Sequence, residues 1–475
     1  MTVNNKEKKQ YARWLQIVVI TLVVVALVLI FKNKHSIEPK MHKSKGELKM
    51  KANASYKEVK GILHISHWVT EHGVPVYFVR VPTLPMVDIE IVFDAGSARN
   101  GEKGGLAYLT NLLLAEGTAH LSADQVAENF DNVGAQYNAE SQRDMALVHL
   151  RSLSEKTQLQ PAVENLAAIL TQPHFPENGL KRLQQNALST LKYQAQKPGQ
   201  VASRAFFSLL YPHQPYANWV LGDEKSIQAI TVADVKAFYQ QYYVAKNAVV
   251  TIVGDLTLPE ADEIAQSLTN ALPTGEKPAP LPVVADVKEK VIKRINFPAA
   301  QTTILIGEPG LKQNDPDYYA LYVGNHILGG NGSVTRIFNT VRNQHGLAYS
   351  AYSYFTAMRD RGPFMMGCQT RNDQAEKASE MMQALLKEFV AKGPTEQELV
   401  QAKQNLLGGY ALQFDSNSAI CHQVATLGFY DLPLDYLNQF KPAVEKLTVA
   451  DIQHAFQKRI SPDHTVVVMV GGQQG

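Results

Sequence analysis

Arg342 lies just before the stretch GLAYS, Tyr349 lies within it, and both follow a glycine-rich turn at Gly329, Gly330 and Gly332. A guanidinium and a phenol can each donate to a carbonyl and steady the oxyanion that forms when it is attacked. Such a pair binds and polarises but hydrolyses nothing alone, and two donors seven residues apart assign no role by themselves. The glycines permit positive φ and close backbone approach. No Walker-type Lys-Ser/Thr follows them, which speaks against a phosphate cradle. Metal chemistry finds little support. His120, His149 and His174 match no short zinc spacing, and His64, His67 and His72 precede the first core strand, so each reads as an ordinary surface or hydrogen-bonded histidine. Cys368 and Cys421 are too few for a thiolate zinc module or a disulfide framework, and whether they pair stays open.

Positioning such groups needs a large scaffold, and the composition allows one. The 475 residues are 45% hydrophobic and 19% charged, enough for extensive cores, and ~150 residues per domain suggests about three folding units. Lys+Arg 46 against Asp+Glu 44 leaves +2, which gives no reason to expect a nucleic-acid partner. Residues 14–31, WLQIVVITLVVVALVLIF, are close to the ~20 apolar residues that span a bilayer and read as a transmembrane helix. Residues 1–13 form a basic tail and residues 32–54 a polar, Lys-rich tether whose opening KNKHSIEPK offers no A-x-A-like cleavage site. Basic residues flank both sides of the span. The short basic tail before an apolar run favours a signal anchor with a periplasmic or other extracytoplasmic body.

The body is duplicated. SIQAITVADVKAFYQQYYVAKNAVVTIVGD from Ser226 and AVEKLTVADIQHAFQKRISPDHTVVVMVGG from Ala443 share one order of features. In each, a Thr N-cap with Asp at N3 opens an amphipathic helix, and a β-branched run then ends in Val-Gly. MVDIEIVFDAG from Met86 and TTILIGEPG from Thr302 correspond more loosely. Pro273, Pro278, Pro280 and Pro282 mark a linker. The expected fold is therefore α+β: two tandem homologous domains, 55–273 and 285–475, joined through 274–284. Each is a mixed sheet covered by helices, and together they form a clam-shell with a ligand cleft between the halves.

From Gly105 to Thr118 the chain reads GLAYLTNLLLAEGT after a strand and a G-S-A-R turn. With the duplication, the linker, PYANWVLGDEKSIQAIT from Pro215 and GLAYSAYSYF from Gly346, this stretch resembles the pitrilysin/insulysin family of zinc peptidases, the inverzincins. The resemblance implies metallopeptidase ancestry with a zinc helix of Gly-x-Ala-His-x-x-Glu-His pattern. Its two histidines hold Zn²⁺, the glutamate between them is the general base, and a distal glutamate completes the metal shell. Here those positions are Tyr108, Asn111 and Leu112, and the window Gly179 to Lys197 holds no Asp, Glu, His or Cys. No catalytic residue and no metal ligand is expected in the first domain, and Glu116 reads as a capping or surface carboxylate. Arg342, Tyr349 and the glycines at 329, 330 and 332 match the family's substrate-binding positions. By that resemblance the chain is a non-catalytic, membrane-anchored homologue that forms a heterodimer with a zinc-bearing peptidase subunit and helps it hold a peptide substrate. An active zinc endopeptidase, or a lone peptide-binding or scaffolding module of the cell envelope, are the alternatives. Met86 to Asp94 reads as an exposed strand to which an extended peptide could add.

Overall fold

Alternating apolar residues build two mixed sheets in the computed structural model, which describes residues 56–472. The basic tail 1–13, the apolar stretch 14–31 and the tether 32–54 lie outside the described residues, among which no helix is long and apolar enough to cross a membrane. The first sheet comprises β1 (Lys57–Val59), β2 (Ile65–Val69), β3 (Pro75–Arg80), β4 (Met86–Phe93), β5 (Gln136–Ser141), β6 (Ala146–Leu153) and β7 (Ala248–Gly254), in the order β1-β2-β3-β7-β4-β6-β5. The second comprises β8 (Val291–Asn296), β9 (Ala299–Pro309), β10 (Ala348–Phe355), β11 (Pro363–Arg371) and β12 (Val466–Gly472), in the order β10-β11-β9-β12-β8.

Read from β8, the second sheet repeats the run from β3 to β5. Each begins with one parallel pair, β3 with β7 and β8 with β12, and continues antiparallel. The first half contributes helices α1 (Leu106–Leu113), α2 (Glu177–Ala195), α3 (Pro198–Leu210) and α4 (Val232–Tyr242), and the second α5 (Tyr318–Asn325), α6 (Asn417–Phe429) and α7 (Val449–Arg459). The duplicated T-V-A-D motifs open α4 and α7 with the same reciprocal bonds. Asp234 Oδ2 accepts from the Thr231 N–H at 2.9 Å and Asp451 Oδ2 from the Thr448 N–H at 2.8 Å, while each threonine hydroxyl accepts from the N3 amide. Two of the amides that a helix start leaves without partners are satisfied in each copy.

The clam-shell expected from the linker is more tightly joined than two shells on a hinge, because each half lends a helix to the other's sheet. Helix α3 lies on β9 and β12, where Ala202, Phe206 and Leu210 are buried with Leu305, Val466 and Val468. Helix α6 lies on β3, β4 and β7, where Ile420, Cys421 and Val424 are buried with Tyr77, Val79 and Val253. At roughly 1.5–3 kcal/mol for each large apolar side chain removed from water, separating the halves would cost many kcal/mol. Gly428 on α6 meets Tyr77 so closely that a Cβ would fall 2.5 Å from its ring. The linker is fastened as well. Val283 O accepts from Gln214 Nε2 at 2.9 Å, and the Val284 N–H donates to Asp360 at 2.7 Å. Cys368 and Cys421 are both free thiols, buried in separate cores.

Charge crosses the α6 contact. Asp88 and Glu90 point from β4 toward α6 and are almost wholly buried. Asp88 pairs with His149 and Arg151, each at 3.0 Å, and Glu90 meets His422 of α6 at 3.2 Å. The bond to Glu90 holds the His422 imidazole above its ordinary value of 6.5. A raised folded-state value means that this contribution is complete below the unfolded value and is lost as pH rises through the folded one. Urea denaturation should therefore show the parent losing stability relative to His422→Gln as pH climbs above 6.5. Parallel pH profiles for the two proteins would refute the linkage.

Candidate functional site

Helix α1 starts where Gly105 takes φ +89°, and a Cβ there would lie 2.7 Å from Leu221 O, so glycine is required by both conformation and space. Leu106, Leu109 and Leu113 then turn into the core of the first half at helical spacing. At the position where the resemblance puts a general base, the Asn111 side chain is fully buried and fully engaged. Its amide N–H groups donate to Glu140 O at 2.8 Å and Leu147 O at 3.1 Å, and its Oδ1 accepts from the Tyr243 hydroxyl at 3.0 Å. It ties α1 to the β5–β6 hairpin and has no oxygen lone pair placed to take a proton from water.

The neighbouring positions do not fit a zinc ion. Leu112 packs against the core and has no lone pair, and burial raises the Tyr108 phenol above its ordinary range, which disfavours the phenolate a metal would need. Among the described residues no three His, Cys, Asp or Glu side chains come together as a metal shell. Helix α2 begins two residues earlier than the acid-free window from Gly179, so it does include one carboxylate, Glu177. That group lies in its first turn, exposed and paired with Lys181 at 2.7 Å. Glu116 pairs with Arg182 of α2.

The second half brings its two expected residues together. Two single π-helical turns, His326–Gly330 and Asn339–Gln344, interrupt the helical path beside β10, and such turns are frequent at functional sites. Arg342 lies on the second of them, its guanidinium carbon 4.8 Å from the centre of the Phe338 ring and 4.6 Å from that of Tyr349. Tyr349 opens β10 and is 79% exposed. Among the described residues, the ion pairs of this half engage Arg294, Arg336, Arg359, Arg361, Arg371 and Arg459 but not Arg342. Its donors are held by aromatic faces and remain available.

The glycines of the turn serve different ends. A Cβ on Gly329 would sit 2.5 Å from the Ser353 amide, so its absence lets the turn close onto β10, and one on Gly330 would sit 2.7 Å from Asn325 Nδ2. Gly332 takes φ +55° with open space around it. Asn325 and Ser353 fasten turn to strand, the Ser353 hydroxyl donating to Asn325 Oδ1 at 2.7 Å. Tyr352 and Tyr354 stack on the outer face of β10 with centroids 6.0 Å apart, both more than a third exposed.

The strand expected to receive a peptide is misplaced in the sequence reading. Met86–Phe93 is interior, hydrogen-bonded on both sides by β6 and β7, so its backbone has nothing left to offer a peptide. Its Asp88 and Glu90, which gave it the alternation of an exposed strand, face α6 as buried ion pairs. The first sheet has two edge strands, the three-residue β1 and the longer β5, whose residues are alternately exposed and half-buried, and the counterpart of β5 in the second sheet is β10. The alternation of QYNAES after Gly134 was the available signal for β5. At the junction of the halves the β5–β6 and β10–β11 turns meet, the Arg359 N–H donating to Asp144 Oδ2 at 2.7 Å.

Comparison with known proteins accords with this architecture. Residues 76–224 match the family described as Insulinase (Peptidase family M16), and residues 229–406 match the Peptidase M16 inactive domain. A crystal structure of a peptidase M16 inactive domain from Pseudomonas fluorescens is 39% identical, with TM-score 0.84, covering 87% of this chain and 99% of that one. The Helicobacter pylori protein named non-peptidase homolog YmxG is 28% identical over 389 residues, 81% of this chain and 88% of its own length. The Saccharomyces cerevisiae mitochondrial-processing peptidase subunit beta is 25% identical over 80% of this chain and 85% of its own length. With two family models spanning most of the body and a relative of such identity aligned almost end to end, the chain belongs to the insulinase family of peptidases, M16, the pitrilysin/insulysin family.

Proposed function

We propose that this chain is a non-catalytic M16 subunit that binds an extended peptide in the junction of its halves and presents Arg342 and Tyr349 to the cleavage site of a zinc-bearing homologous subunit. The observation that carries the reading is an asymmetry between the halves. At the zinc-helix positions of the first, Asn111 is spent entirely on internal hydrogen bonds, whereas in the second Arg342 is held between Phe338 and Tyr349 with its donors uncommitted. The free edge of β5 supplies main-chain donors and acceptors to a peptide, which needs no metal. One relative is named a non-peptidase homologue, which supports a non-catalytic reading, and another a subunit of a processing peptidase, which supports a paired one, while others are named zinc proteases. In this proposal zinc resides in the partner, residues 14–31 anchor the chain, and the body faces the periplasm or an equivalent extracytoplasmic space.

The test is metal content joined to activity. Purified full-length chain in detergent, exchanged into metal-free buffer, should carry far less than one zinc by elemental analysis. It should cleave a quenched-fluorescent peptide only after a zinc-bearing M16 relative is added. One tightly held zinc per chain, with chelator-sensitive cleavage by the chain alone, would replace the proposal with a self-sufficient endopeptidase. Tight peptide binding with no co-purifying relative would favour a lone binding module, which shares the β5 edge.

A further inference from the structure

The internal duplication supplies a control for one residue that none of these roles uses. The β5–β6 and β10–β11 turns each carry Arg-Asp, Arg143-Asp144 and Arg359-Asp360, at equivalent places in the two sheets. Each arginine stacks on a phenylalanine of the helix lent across the junction. Arg143 lies 3.4 Å from the ring centre of Phe207 on α3, and Arg359 lies 4.3 Å from that of Phe429 on α6. Their charges are treated differently. Arg359 reaches the Asp94 carboxylate, at the end of β4 in the opposite half, at 3.6 Å, and it also donates to Phe429 O at 3.0 Å. Among the described residues no acid at the end of β9 forms the corresponding ion pair with Arg143, and Glu308 there accepts instead from the Ser461 N–H at 2.8 Å.

Among the described residues Arg143 forms no ion pair, although the charge of Asp144, next to it in the chain, still acts on it. Its Nε donates to Tyr216 O at 3.2 Å, its Nη2 is buried with no partner, and among the described residues the junction's ion pairs take Arg99 and Arg359 but leave it out. The neighbouring Asp144 is occupied elsewhere, accepting from the hydroxyls of Tyr216 at 2.8 Å and Tyr430 at 3.1 Å and from the Arg359 N–H. A buried donor left unmade is costly, more so when charged. Burial pulls the guanidinium down to about 10, so it stays charged at neutral pH. Its backbone is rigid, since the amides of Gly96, Ser97 and Ala98 donate to the carbonyls of Asp144, Gln142 and Arg143. Arg143 is only half-buried as a whole and lies just past the end of the edge strand β5, with its guanidinium also 5.8 Å from the ring centre of Trp219.

We infer that Arg143 is an anion-binding residue that receives a carboxylate of the bound peptide, an acidic side chain or a free C-terminus, where an extended chain running along β5 passes the end of that strand. The inference rests on the reading of the junction as a peptide site and deepens it, naming acidic extended peptides as the preferred class.

The test uses the full-length chain in detergent and a short fluorescein-labelled Val/Thr/Ser peptide. One glutamate is walked along its length, the matching glutamine peptides serve as controls, and each is made with a C-terminal acid and amide. At one position the carboxylate form should bind roughly tenfold tighter or more, the range for a charge-assisted hydrogen bond. That preference should vanish in Arg143→Gln and persist in part in Arg143→Lys, with inorganic phosphate competing for it in the parent. Equal binding of acidic and neutral peptides by the parent overturns the inference and leaves peptide binding intact. Binding of neither overturns both. Thermal stabilisation of the parent by phosphate without any carboxylate preference assigns Arg143 to a free anion and likewise overturns it.

Discussion

Arg342→Ala will lower peptide turnover by the heterodimer proposed above about 100-fold while shifting the thermal unfolding of this chain by a few degrees at most. The first figure is the usual loss on removing one donor to a developing oxyanion. The second follows from what the side chain does for the fold. Its contacts to Phe338 and Tyr349 are cation–π contacts near the surface, worth about 0.5–1 kcal/mol at exposed sites. Arg342→Lys keeps the charge but loses the planar fork, so turnover should fall between the two. Tyr349→Phe keeps the ring under the guanidinium and removes only the hydroxyl, which separates the phenol's own donation from its support of Arg342. The readout is kcat and KM of the pair. Unchanged turnover with Arg342→Ala would remove the second half from the chemistry.

Asn111→Leu should destabilise the chain by about 3 kcal/mol or more, although it sits where an enzyme of this family would keep its general base. Two buried carbonyls and the Tyr243 hydroxyl lose a partner at once, and each unsatisfied buried group costs about 1–3 kcal/mol. Asn111→Asp is the sharper probe. At neutral pH it sets a carboxylate against the oxygens of Glu140 and Leu147, and acid should relieve the penalty by restoring a donor. Restoring the family's glutamate would not restore catalysis, because the position has become a fastener between α1 and the β5–β6 hairpin. Urea denaturation of the Leu variant within 1 kcal/mol of the parent would show that these bonds hold little.

Much of this architecture was legible because its causes are local. A Thr three residues before an Asp satisfies helix-start amides whatever surrounds it, so both copies of T-V-A-D announced α4 and α7. Runs of Val and Ile ending in Gly marked β7 and β12 in the same way. The replacement of the zinc ligands at Tyr108, Asn111 and Leu112 could likewise be read from residue type, since leucine has no lone pair in any fold. Met86–Phe93 misled because alternation reports two unlike faces without saying what covers either. A strand at a sheet edge and an interior strand whose acids meet Arg151 and His422 write the same pattern.

The order of residues alone determined the repeat, its caps and strands, and the side-chain types at Tyr108, Asn111 and Leu112, all of which depend on residues within a few positions. Only the tertiary structure decided that α3 and α6 cross to the opposite sheets, that β5 rather than β4 is the open edge, that Arg342 and Tyr349 touch, and that Arg143 is left without the carboxylate its counterpart has. These depend on pairings between residues tens to hundreds of positions apart, where the buried area and charge of the whole assembly select one partner among many that local pattern would accept equally.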